Sequence, residues 1–300
     1  MSFRRARRWI AAACAAVLAT AVVAGCASLD EWQRQTIFNP ARDNPRWFTD
    51  PLPGTEEYDV RLANGDTLHF WYVAQARATA APTVLYLHGA RWNMNGSVFR
   101  ISRFRELGFN VLAVDYRGFG KSTEILPSEQ SAAEDTRAAF AELVRRQPDW
   151  RRRYVYGHSL GGALTIELAS DLAPDELRGV IIESTFTSIP DLVRGMRWGW
   201  VPGLDLAVTQ RFDSMTRIAR VTTPLLILHG TADNVVPHTM ADELYWQAGS
   251  HDKRLVKVEG GTHSGARGGS EGRAAILEFV SAPLPTATTG AAAATSLVAD

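Results

Sequence analysis

Six short apolar runs, Thr83–Leu87, Asn110–Val114, Tyr154–Tyr156, Gly179–Glu183, Pro224–Leu228 and Arg254–Val258, are separated by stretches of helical length. A strand with one wet face alternates polar and apolar residues, and most of these runs do not. They therefore read as strands buried on both sides. The covering is predicted in the segments between them: helices near Ser97–Leu107, Ser128–Arg146, Leu160–Leu172, Pro237–Ala248 and Glu271–Val280. Strands joined by helical crossovers pair in parallel, so the expected fold class is α/β, a mostly parallel sheet with helices on both faces. Upstream, Tyr58–Leu62 and Thr67–Val73 alternate around Asn64-Gly65, which predicts a hairpin. In an open sheet of this class, sites are built on loops past the strand C-terminal ends.

Three such loops carry chemistry. Tyr154–Tyr156 runs into Gly157-His158-Ser159-Leu160-Gly161, and a helix follows at once. Strand, Gly-x-Ser-x-Gly and helix together make a nucleophile elbow, in which a strained turn lifts the serine hydroxyl clear of the fold. Asp233 follows the strand Pro224–Leu228, and His263 follows Arg254–Val258. A serine hydroxyl is a weak nucleophile until an imidazole takes its proton, and a carboxylate must orient that imidazole. Ser159, Asp233 and His263 are the expected catalytic residues. Glu183, at the end of the preceding strand, is the rival acid. The other histidines read as structural: His69 and His251 as packed or solvated, His88 and His229 as holding loop backbone, His238 as starting a helix. His158 is expected to point away from the site. Gly118–Ser122 lacks the glycine spacing of a phosphate loop. No metal or other cofactor is expected.

The chain resembles serine hydrolases of the α/β-hydrolase superfamily. The resemblance is carried by His88-Gly89, Asp115–Ser122, the elbow, Glu183–Ser188, the Asp233 loop and the His263 loop. It is nearest to the small-cap esterase and serine-aminopeptidase-like group, and Gln35–Pro40 resembles the short lead-in of those proteins. The chain order Ser, Asp, His is that superfamily's order. The resemblance implies a covalent acyl-enzyme and an oxyanion hole built from two backbone amides, Leu160 and Ala90. Relatives carry Asn-Gly after His-Gly where this chain has Ala90-Arg91, so Arg91 is the alternative to Ala90. It also implies a small cap over about 187–219, where Trp198, Trp200, Leu192, Val193 and Met196 are expected to form an apolar lining; a pair of core helices is the other reading of that pattern.

The amino terminus reads as a targeting segment. Arg4, Arg5, Arg7 and Arg8 precede a nearly continuous apolar run, Trp9 to Gly25, short for a membrane span of about 20 residues. Val23-Ala24-Gly25-Cys26 resembles a bacterial lipobox, which implies cleavage before Cys26 and its acylation. An ordinary signal peptide and an uncleaved anchor are the alternatives. Ala27 after the cysteine favours the outer over the inner membrane of a bacterial envelope. Expected boundaries are 1–25 for the signal peptide, 26–52 for a lead-in, 53–281 for the hydrolase domain and 282–300 for a disordered tail. Ser28–Glu31 fits a capping box opening a short helix that ends near Phe38. The whole chain has 32 Lys+Arg and 32 Asp+Glu; without the four leader arginines the balance is 28 against 32, which gives no electrostatic reason to expect a nucleic-acid partner. Only Cys14 and Cys26 exist, so a chain cleaved before Cys26 cannot form an internal disulfide.

The expected partners are a small-molecule acyl ester and, through acylated Cys26, the membrane. A serine aminopeptidase or thioesterase would use the same triad, and a catalytically idle envelope binding protein would keep the fold. Metabolic labelling with a radioactive fatty acid should mark the wild-type chain and leave Cys26→Ser unmarked; equal labelling of both would place any acyl group elsewhere.

Overall fold

The computed structural model describes residues 3–43, 48–75, 81–195, 200–265 and 269–283. Its centre is one eight-stranded sheet: β1 (Glu56–Arg61), β2 (Thr67–Val73), β3 (Thr83–Leu87), β4 (Asn110–Asp115), β5 (Arg153–His158), β6 (Gly179–Glu183), β7 (Leu225–Gly230) and β8 (Lys253–Val258). The spatial order is β1-β2-β4-β3-β5-β6-β7-β8. The hairpin β1–β2 is antiparallel and joins β4 antiparallel, while every pair from β4 to β8 is parallel. Gly65 takes the positive φ of +91° that its turn needs.

Side-chain alternation along the strands feeds two cores. Leu85, Leu87, Leu112, Val114 and Val155 pack on one side beneath α3 (Glu129–Arg146) and α4 (Leu160–Ser170). Val84, Tyr86, Val111, Ala113 and Tyr156 pack on the other beneath α2 (Val98–Glu106) and α8 (Ser270–Ser281). The helices α5 (Ile189–Gly195) and α6 (Ser214–Ile218) lie in the expected cap segment, and α7 (Thr239–Gln247) follows β7. Ser128 caps α3 in a reciprocal box with Ser131. Trp47, Met196, Trp198 and the tail beyond Pro283 lie outside the described residues.

The lead-in differs from expectation. It ends at Phe38 as predicted, but α1 runs unbroken from Phe3 to Phe38 and does not start at Ser28. A serine caps a helix only where the backbone enters it from outside; the alanine-rich run before Ser28 favours helix and carries straight through. At the other end Asn39 turns out at φ +38°, its N–H donating to the Gln35 carbonyl at 3.0 Å. Phe38 is fully buried. Gln33 reaches the cap segment, donating to the Ala207 carbonyl and accepting from the Thr209 N–H, each at 2.8 Å. Asp30 accepts from Thr209 Oγ1 at 2.7 Å and Gln210 Nε2 at 2.8 Å, and these bonds hold its carboxyl below the usual range.

The exit of β4 is braced by charge. Buried Arg117 donates to Asp135 Oδ1 at 2.7 Å, and also to Asp66 and Glu134. Burial pushes the Asp135 carboxyl up to about 6 against the pull of that guanidinium. Removing Asp135 leaves the Arg117 Nε and the Arg117 backbone N–H without their buried acceptor. Asp135→Ala should therefore cost about 3 kcal/mol in urea unfolding above pH 7. Asp66→Ala, on the solvent side of the same guanidinium, should cost much less; equal losses would mean that Asp135 is not the main brace.

Candidate active site

The site begins with two close approaches. A Cβ on Gly157 would stand 2.1 Å from the Gly161 carbonyl oxygen, and one on Gly161 would stand 2.2 Å from that of Leu87. Only hydrogen fits at either position, which lets α4 descend directly onto β5 and β3. Between them Ser159 adopts φ +54°, ψ −118°, a conformation that costs about 1–3 kcal/mol and that the packed surroundings must hold. Its N–H donates to the Glu183 carbonyl at 2.9 Å, and its carbonyl accepts from Thr185 Oγ1 at 2.8 Å.

The three residues expected to act together do meet. Ser159 Oγ lies 3.2 Å from His263 Nε2, and His263 Nδ1 lies 2.8 Å from Asp233 Oδ2. The Asp233 carboxylate is fully buried in its loop. Burial alone would raise its pKa. Hydrogen bonds from His229, His263 and the Val236 N–H outweigh burial and hold it far below the ordinary carboxylate range. The Val235 and Val236 amides both donate to Oδ1 at 2.9 Å. Glu183, the rival acid, is buried and accepts from the Tyr156 hydroxyl.

The loop after β3 is fixed from beneath. Asp115 Oδ1 accepts from the Met94 N–H at 2.8 Å, and His88 Nδ1 lies 2.7 Å from the Gly89 carbonyl. Burial pushes Asp115 up to about 7 and His88 down to about 4, so neither is easily charged in the core. The Arg91 N–H is taken: it donates to the Phe38 carbonyl at 2.8 Å, with Arg91 at φ +71°. The last residue of α1 thus pins the loop that carries Ala90.

A cavity of about 770 Å³ opens over Ser159 and His263. Its walls include Leu160, Phe186, Ile189, Leu192, Val193 and Val236, and no Asp or Glu among the described residues. Two expectations change here. Trp200 does not line it and is 74% exposed. Instead α1 supplies Leu29, Trp32, Gln33, Thr36 and Ile37, which the sequence did not mark as lining. His158 does not turn away: it lines the cavity, its Nε2 lying 2.8 Å from the His263 carbonyl and 2.9 Å from Arg100 Nη2. The signal was Arg100, a cation in the otherwise apolar face of α2, which needs a buried partner.

A family model described as serine aminopeptidase, S33, matches residues 78–212 and 192–266. The chain belongs to that family. Its fold is the α/β-hydrolase fold. The chain is also similar to the uncharacterized YfhR of Escherichia coli K12, 31% identical over 247 residues that span 79% of this chain and 84% of YfhR. The α/β-hydrolase domain-containing protein WAV2 of Arabidopsis thaliana is 29% identical over 79% of this chain and 82% of its own. Among solved structures, the Pyrococcus furiosus esterase Pf2001 superposes with TM-score 0.63 at 21% identity, over 80% of this chain and 97% of that one. Butyrivibrio proteoclasticus Est1E, bound to ferulic acid, superposes with TM-score 0.57 at 19% identity, over 74% and 96%.

With Asp233 held ionised, one protonation should govern the acid limb. The logarithm of kcat/KM should fall with unit slope as pH drops; a slope of two would mean that Asp233 titrates with it. Asp233→Asn should lower kcat by about 10⁴, through the wrong imidazole tautomer, and Glu183→Gln far less. The reverse order in folded variants would move the acid to Glu183.

Proposed function

We propose that this chain is a serine hydrolase of carboxylic esters, working through an acyl-enzyme on Ser159, His263 and Asp233. The observation that carries this reading is the continuous chain of contacts from Ser159 Oγ through both nitrogens of His263 to Asp233. Ser159 Oγ attacks the ester carbonyl as His263 Nε2 takes its proton. The tetrahedral oxyanion is held by the Leu160 and Ala90 amides; the bond from Arg91 to Phe38 favours Ala90 over Arg91 as the second donor. On collapse the alkoxide leaves with the proton from His263. Water, deprotonated by the same imidazole, then splits the acyl-serine and restores Ser159.

Ester is favoured over aminoacyl amide by charge. An aminopeptidase must bind a substrate ammonium, and the cavity offers no carboxylate among the described residues. The cap acids are engaged elsewhere: Asp191 with Thr187, Ser188 and Arg194, Asp205 with Arg194, and Asp213 as the cap of α6. An apolar lining favours acyl chains by about 25 cal/mol per Å² removed from water. A thioesterase would share triad and lining alike, so it remains the second reading.

The same proposal places the protein in a bacterial envelope as a lipoprotein acylated on Cys26. That reading is supported by the basic and apolar leader, the lipobox-like Val23–Cys26 and the exposure of Cys26 on α1.

A fluorophosphonate probe should label the wild type at Ser159, and Ser159→Ala should lose both the label and about 10⁶ in kcat on acyl esters. Label retained in the variant overturns the nucleophile, and an idle binding protein takes no label in either form. In a substrate panel, acyl esters of short to medium chain should exceed aminoacyl amides in kcat/KM; amides winning the panel would restore the aminopeptidase.

A further inference from the structure

We propose that the apolar rim of the catalytic cavity is a membrane-docking face, so that the cavity opens onto the bilayer and receives its substrate from the lipid phase. For its chemistry this rests on the ester-hydrolase reading; for its geometry it rests on α1. Leu29 and Trp32 line the cavity and remain 39% and 60% exposed, so they stand at its mouth. Val235, on the Asp233 loop, lines it at 59% exposure, and Leu204, on the cap, at 37%. Leu206 shares the Leu204–Ala207 turn but not the cavity, and is 79% exposed. Single exposed apolar residues need no explanation. Here three separate chain segments gather them around one opening, which marks an interaction surface.

What covers that surface is indicated by the helix that forms part of it. Over Ala15–Phe38, α1 has the length and apolar composition to cross a membrane, and its apolar window is not buried against the rest of the protein. The helix wall of the cavity is therefore continuous with a segment suited to lipid. Cys26 is exposed on α1 only three residues before Leu29, about 4.5 Å along the axis at 1.5 Å per residue. Acyl chains on Cys26 of the cleaved chain, or the apolar segment before Cys26 in an uncleaved one, bring the headgroup region within one helical turn of the mouth. The bonds from Gln33 and Asp30 to residues 207–210 fix the cap turn to α1, so Leu206 is carried to the same plane. A tryptophan at the rim suits that depth, with its apolar ring and polar N–H.

The test reconstitutes the full chain in vesicles of phosphatidylethanolamine and phosphatidylglycerol. Leu206→Cys carries an environment-sensitive fluorophore, and Arg152→Cys carries it before β5, at the strand ends opposite the site. The wild-type chain, labelled in parallel, measures background at its own cysteines. The label at 206 should shift to the blue and be quenched by nitroxide lipid at least about fivefold more than the label at 152. Leu206→Ser, at a residue that does not line the cavity, should leave kcat/KM on a soluble acetate ester within about twofold while lowering turnover of a long-chain ester carried in the vesicles about tenfold. A label at 206 as open to water as that at 152, or equal turnover of the vesicle-borne ester, overturns the proposal. So does a label already shielded without vesicles in a chain that light scattering shows to be dimeric, because the face would then join two copies. Lipid contact without cleavage of any ester leaves the docking face standing and removes the ester-hydrolase reading instead.

Discussion

How closely helix α4 can approach the strands it covers decides everything at the site. With a methyl group on Gly161 the helix would have to lift off the Leu87 and His88 carbonyls. Ser159 could not then be held at φ +54°. Its strain is supported by packing on every side: the Glu183 carbonyl receives its N–H and Thr185 donates to its carbonyl. Backbone strain of this kind persists only where the surroundings over-determine it, and here two parallel strands and a buried helix do so.

Polar order then spreads outward from the strand ends. The buried Asp233 carboxylate would be costly if bare, and its loop folds around it so that two amides and two imidazoles meet its oxygens. One of those imidazoles is His263, whose carbonyl in turn rests against His158 and so approaches Arg100. His263, which faces Ser159, is thus held through its side chain by Asp233 and through its backbone by His158. Few degrees of freedom are left to the side chains of Ser159, Asp233 and His263, the arrangement a preorganised site uses.

The sheet and the strained turn at Ser159 were legible because they rest on short-range rules. Unbroken apolar runs are recognisable without knowledge of their neighbours, and so is a serine between glycines at a strand end. Asp233 and His263 followed from being placed just past such runs. What escaped was set by long-range contact. Nothing in Leu29-Asp30-Glu31-Trp32-Gln33 says that it walls a cavity, because its partners lie some 175 residues away at Ala207 and Thr209. Trp200 looked like a lining residue on composition alone, and composition does not encode which way a side chain faces. The Arg91 amide is occupied by a carbonyl at Phe38, more than fifty positions upstream. Ser28 could not act as a cap because the residues before it were helix formers too.

The bond from the Arg91 amide to the Phe38 carbonyl also bears on where this enzyme can be cut. A chain shortened to begin at the β1–β2 hairpin would keep Ser159, Asp233 and His263 and most of both cores. It would lose one wall of the cavity and the acceptor that occupies the Arg91 N–H. The loop bearing Ala90 would then be free to turn either amide inward. The segment proposed as the tether is, in this arrangement, also a wall of the cavity.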